Sequence, residues 1–139
     1  MSDLPIGYWL KHLDRLIEND FDQVLAGESL GRRHWQVLNS LYTQPGTIAD
    51  LDRRLAPFMD EGELTAAPAL EELRRRGWVQ GLVALELTPA GREAHQALSE
   101  KVGRARERVS RGISPEEYRA TVDVLERMAA NLEPGPQVP

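Results

Sequence analysis

Between Gly77 and Pro89 the hydrophobic pattern of this chain changes period, and that change limits the available folds more than any other feature. On either side, apolar residues recur at steps of three and four, the repeat of an amphipathic helix. Within the segment, Trp78, Val79, Val83, Leu85 and Leu87 are β-formers, and Leu85 and Leu87 alternate about Glu86. Gly81 lies near the expected turn. Two strands alone are marginal in water, so this hairpin must lean on the surrounding helices. Its borders are marked: Gly77 ends a helix, and Thr88-Pro89 is a cap followed by proline at the first helical position.

The helices follow from their stripes and stops. A first helix is expected from about Pro5 to Ala26, with Ile6, Trp9, Leu10, Leu13, Leu16, Ile17, Phe21, Val24 and Leu25 on one face and Gly27 as the stop. A second should run from Arg32 to Tyr42, before the turn signal Pro45-Gly46. Thr47, with Asp50 three residues on, approximates a capping box for a short third helix that ends at Pro57. Residues 58–64 are acidic and carry no assignment. Pro68 is tolerated only in a first turn, so a fourth helix is expected over Ala66 to Arg76 with Thr65 as its N-cap. The fifth could reach Arg111 before Gly112, and Ser114-Pro115-Glu116-Glu117 opens a sixth with a cap, a proline and a capping-box Glu.

The implied fold class is mostly α with a small β-wing. A winged helix-turn-helix over about 31–88 lies between long amphipathic helices over about 5–28 and 89–132. The 139 residues fit a single domain, and the Pro-rich stretch 133–139 reads as a flexible tail. Long helices with wide apolar faces at both ends need a partner surface, so a homodimer is expected.

Composition narrows the function. A net charge of −5 argues against indiscriminate polyanion binding, so any DNA contact must come from a local basic patch. With no cysteine, disulfides and Cys-ligated zinc are excluded. His12, His34 and His95 stand far apart, none with a second histidine at ligand spacing, so neither a metal nor a cofactor is expected. No nucleophile motif, phosphate loop or HExxH is present, so an enzyme is not expected. No membrane span and no signal peptide is legible, and a cytoplasmic location follows.

The order of these elements, with the segments HWQVLNSLYTQPGTIADLDRRL, LEELRRRGWV, LELTPAGREA and ISPEEYRATVDVLERMAANL, resembles the MarR family of bacterial transcriptional regulators over about Tyr8 to Leu132. The resemblance implies a repressor of transcription. It would act as a homodimer on a pseudo-palindromic operator in double-stranded DNA, released by a small aromatic or phenolic ligand. In the family the fourth helix enters the major groove and the wing tip reaches the minor groove. Here that helix starts Thr65-Ala66-Ala67-Pro68, and the tip Gln80-Gly81-Leu82-Val83-Ala84 carries no charge.

The candidate DNA-binding residues are Arg32 and Arg33, Arg53 and Arg54, Thr65, Arg74 and Arg75, and Gln80, most of them suited to phosphate contact. A solvated helix surface is the alternative for the arginines, and simple capping the alternative for Thr65. Candidate ligand-binding residues are Tyr8, Trp9, His12 and Arg15 on consecutive turns of the first helix, with Trp35 of the second. Together they would form an aromatic wall with a cation for a carboxylate; core packing is the alternative for Trp9 and Trp35. A second function stays open from the residues alone: a module of the same fold that has lost strong DNA reading and acts as a protein- or ligand-binding dimer.

Overall fold

The structure, a computed structural model, describes residues 3–135. Six helices and one hairpin follow in order: α1 Ile6–Leu25, α2 Arg32–Thr43, α3 Ile48–Leu55, α4 Ala67–Arg75, β1 Val79–Gln80, β2 Glu86–Leu87, α5 Pro89–Val109 and α6 Pro115–Leu132. Short 3₁₀ turns follow α1 and α3. The chain divides within α5 into two compact units that meet between Ala105 and Arg106. Residues 136–139 of the expected tail lie outside the described residues.

The first unit holds an apolar core drawn from every element before the division. Leu25 of α1, Val37 and Leu38 of α2, Leu51 of α3, Leu73 of α4, Leu85 beside the hairpin and Val102 of α5 are almost wholly buried in one cluster. Burial of each such side chain is worth about 1.5–3 kcal/mol. The hairpin leans on these helices as its marginal size requires. Val79 stands opposite Leu87 with both buried, while Gln80 opposite Glu86 faces outward. Its strands are only two residues each, and Gly46 extends the sheet by exchanging backbone hydrogen bonds with Leu85 in both directions, at 3.1 and 2.7 Å. Gly81 turns the hairpin at φ +103, where a Cβ would stand 2.0 Å from the Ala84 carbonyl oxygen.

The helix ends show where local signals hold and where tertiary structure overrides them. Thr47 and Asp50 exchange bonds as a capping box: Thr47 Oγ1 accepts the Asp50 N–H at 3.1 Å and Asp50 Oδ2 accepts the Thr47 N–H at 2.9 Å. Ser114 and Glu117 do the same at the start of α6, both at 3.0 Å. The stop after α1 is not Gly27. Ser29 takes the left-handed conformation, at φ 56, and its N–H bonds the Ala26 carbonyl.

The expected start of α4 also needs correction. Its N-cap is Ala66, not Thr65, and α4 spans Ala67–Arg75. Alanine cannot cap, so the orphan donors go elsewhere. Asp52 of α3 accepts the Ala66 N–H at 2.7 Å and the Thr65 hydroxyl at 3.0 Å, while Thr65 Oγ1 accepts the Ala67 N–H at 3.2 Å. A carboxylate from one helix thus sets the first turn of the next.

Thr88 joins the hairpin to α5. Its hydroxyl donates to the Gly77 carbonyl at 2.6 Å and accepts the Gly91 N–H at 3.0 Å. Gly91 is required for close approach: a Cβ there would lie 2.1 Å from the Trp78 carbonyl oxygen. α5 ends at Val109 rather than Arg111, and Gly112 turns the chain at φ +78.

In the second unit, α6 buries none of its eighteen residues. Tyr118, Val122, Met128 and Leu132 form an exposed stripe at helical spacing, with Leu125 half-buried between them. The first turns of α1 are similar: Ile6, Trp9, Leu10, Leu13 and Leu16 are each about half exposed.

Candidate nucleic-acid interface

α4 turns Ala69, Leu70 and Leu73 toward the core. That rotation leaves Ala67, Pro68, Glu71 and Arg75 on its exposed face. That face therefore carries one arginine and one glutamate, behind two residues that offer only apolar contact.

Each of the eight candidate DNA-binding residues already has a partner. Arg32 pairs with Glu18 at 2.7 Å. Arg33 binds Glu63 through two nitrogens, at 3.1 and 2.7 Å, and donates to the Phe58 carbonyl at 2.7 Å and to Gln36. Arg54 donates to Ser40 Oγ at 3.4 Å and to the carbonyls of Gln44 and Pro45, at 3.1 and 3.4 Å, beside the C-terminal end of α2. Arg74 donates to the Gly81 carbonyl at 2.8 Å, bracing the hairpin turn against α4. Thr65 is held by Asp52, and Gln80 donates to Glu86 at 3.0 Å. Arg53 pairs with Asp50 and Arg75 with Glu72, each three residues away. These last two differ in kind, because their side chains stay 72% and 69% exposed. Exposed pairs of this sort are worth at most about 1 kcal/mol, so either arginine can exchange its carboxylate for a phosphate at little cost. The hairpin tip presents Leu82 and Val83, 95% and 74% exposed.

The charges inside the module are set by these contacts. Glu63 is held at a pKa of about 2, first by its hydrogen bond from Arg33 and next by the Asp60 N–H. Asp50 is lowered chiefly by the Thr47 N–H. His34 uses its unprotonated Nδ1 to accept the Gly31 N–H at 3.0 Å, and burial, opposed by Glu72, lowers its pKa.

The candidate ligand residues separate into two groups. Tyr8 stacks on His12 at 5.3 Å and meets Trp9 edge-on at 5.1 Å, on the half-exposed part of α1. Trp35 is buried in a different stack, lying 5.1 Å from His95, which in turn lies 3.8 Å from Tyr42. His95 Nε2 donates to Asn39 Oδ1 at 2.9 Å, and burial lowers its pKa. Sequence reasoning weighed His95 only as a metal ligand and passed over Asp52. His95 was legible from spacing: Gly91, His95, Leu98, Val102 and Ala105 are the buried stripe of α5.

Arg15 joins neither group. It lines a cavity of about 540 Å³ bounded by α1, the start of α2 and residues 57–60 and 63. Among the described residues, no group of His, Asp or Glu is placed to hold a metal ion, and no helix is long and apolar enough to cross a membrane.

No family model matches the sequence, and no curated protein matches it. Solved structures do. A MarR-family transcriptional regulator from Silicibacter pomeroyi is similar over 96% of this chain and 92% of its own, with 23% identity and a TM-score of 0.72. A MarR-family protein from Mycobacterium tuberculosis, solved in complex with DNA, covers 91% of this chain and 98% of its own, at 23% identity and a TM-score of 0.73. A probable transcriptional regulator from Pseudomonas aeruginosa covers the same shares at 24% identity and a TM-score of 0.75. The fold of the chain, helices and wing together, is that of the MarR-family transcriptional regulators.

Proposed function

We propose that this protein is a DNA-binding transcriptional regulator that acts as a homodimer, represses from a pseudo-palindromic site and responds to a small ligand. The observation that carries the reading is the extent of the structural likeness. It covers more than nine-tenths of this chain and of a protein solved on DNA. The exposed stripes of α1 and α6 support the dimer, since apolar faces of this size call for a partner surface. Arg53 and Arg75 are the phosphate contacts best placed to be recruited. Tyr8, Trp9, His12 and Arg15 remain the residues of α1 that a ligand would meet, while the buried stack around Trp35 suits packing.

The test is binding to duplex from the region upstream of the gene, followed across a salt series. Affinity is expected to fall steeply with salt, and Arg53→Ala or Arg75→Ala should each reduce the log–log slope by about one. Absent or salt-independent binding would refute the reading. A second reading then stands: a dimeric module of this fold that binds a protein or a small molecule. The partnered state of all eight candidates and the uncharged tip at Leu82 and Val83 favour it.

A further inference from the structure

We propose that the stack of Trp35, His95 and Tyr42 is a proton-operated joint, in which a proton on His95 unseats α5 from α2. Trp35 and Tyr42 stand two turns apart on one face of α2 with Asn39 between them, and His95 of α5 enters at that level. Its ring is within 13° of parallel to Trp35 at 5.1 Å and within 9° of parallel to Tyr42 at 3.8 Å. At 6% exposure it is, among the described residues, the one polar side chain in the buried set.

This seat is built for a neutral ring. Nε2 donates to Asn39 Oδ1 at 2.9 Å, so Nδ1 carries no proton, and it makes no hydrogen bond among the described residues. A proton added there creates a buried donor without an acceptor. The flanking rings attract a cation with their faces, but they cannot accept an N–H that lies in the imidazole plane. The charged groups around the joint are turned elsewhere. On α2 these are Arg32, Arg33 and His34 of the first turn, engaged by Glu18, Glu63 and the Gly31 N–H. On the hairpin, Glu86 accepts from Gln80. On α5, Lys101 pairs with Glu28 at 3.3 Å, while Arg92, Glu93 and Glu100 are exposed at the rim of an open cavity of about 630 Å³ that His95 and Tyr42 also line. Burial alone holds the His95 pKa below the ordinary 6.5.

The cavity gives the proton its route and the charged ring its exit. A ring that moves outward gives up Asn39, Trp35 and Tyr42 together, and with them the hold of α2 on this part of α5. His95 lies one turn beyond Gly91, where α5 touches the Trp78 backbone, so an unseated α5 takes the hairpin with it. Control of duplex affinity by this movement rests on the DNA-binding reading; the joint itself does not.

The experiment titrates the full chain from about pH 8 to about pH 5.5, the range in which a histidine changes charge. The folded value is depressed, so the stability His95 contributes is full above about 6.5 and is lost as the pH falls towards that folded value. The unfolding constant should rise by up to about tenfold per pH unit in that window. His95→Phe keeps a ring in the stack and should remove this part of the slope, leaving only what His34, also lowered by burial, contributes to both proteins. An equal slope in wild type and His95→Phe would overturn the joint. The wild type gives an independent check by NMR. The His95 ring resonances should titrate below the ordinary value, with the contacts of His95 to Trp35 and Tyr42 disappearing in step. Titration at or above 6.5, or contacts that survive protonation, would overturn the joint as well. Duplex affinity should fall with pH in wild type relative to His95→Phe, and parallel profiles would overturn the regulatory step. If the chain binds no duplex while the stack titrates as described, the DNA-binding reading fails and the joint stands.

Discussion

α2 and α6 are both amphipathic helices, yet α2 buries four of its twelve residues and α6 none of its eighteen. The contrast extends beyond these two helices. The stretch from α2 to the hairpin largely satisfies itself: its buried leucines meet in one core, its arginines meet carboxylates and carbonyls, and even the start of α4 is capped from α3. α6 has an orderly cap and a clean stripe but leaves that stripe in solvent. A helix formed by good local signals is not yet a helix that has found its packing. The first region buries its core within one chain, whereas the second leaves an apolar stripe uncovered.

Substitutions can break or sharpen this comparison. The largest effect is expected from Leu51→Ala in the completed region, a loss of about 2–5 kcal/mol in urea unfolding as a cavity opens under α3. The equivalent insult on α6, Val122→Glu, should act through assembly instead. Sedimentation should move from dimer to monomer while helical circular dichroism is retained. A dimer unaffected by Val122→Glu would leave the contrast without its meaning. Next in size is Asp52→Ala, which orphans the Ala66 N–H and the Thr65 hydroxyl together and should cost about 1–2 kcal/mol. An effect near zero would mean that α4 starts independently of α3.

The smallest effect shows in the pH dependence of stability. Glu63 titrates at about 2 when folded against an ordinary 4.5. Its folded value is depressed, so its contribution is present above about 4.5 and is lost as the pH falls towards about 2. Glu63→Gln should flatten stability against pH within that window and lower stability at neutrality by the same modest amount, because the pair is partly exposed.

Most of the fold was legible in the sequence because its signals are local. The capping pairs Thr47–Asp50 and Ser114–Glu117, the proline-led starts of α5 and α6 and the change of period at Trp78 all act within a few residues. What escaped depends on contacts across the chain. Asp52 lies on α3 fourteen residues from the Ala66 N–H it accepts, and no spacing rule within one helix announces it. The acidic loop at 58–64 gave no periodic signal because its order comes from Arg33, thirty residues from Glu63 in the chain. The candidate site was legible as residue types but not as states. Eight polar residues could be named from sequence, yet only geometry shows that each is already engaged, and that Arg53 and Arg75 nevertheless stay largely exposed.

The junction at Gly91 has a mechanical consequence. With a hydrogen in place of a side chain, the first turn of α5 rests directly against the Trp78 backbone, and Thr88 bolts both to Gly77. No compressible layer of methyl groups lies between the root of the hairpin and the shaft of the helix. A twist applied to α5 arrives at the hairpin without slack, as through a keyed axle, and the hairpin carries the braced end of α4 with it through Arg74.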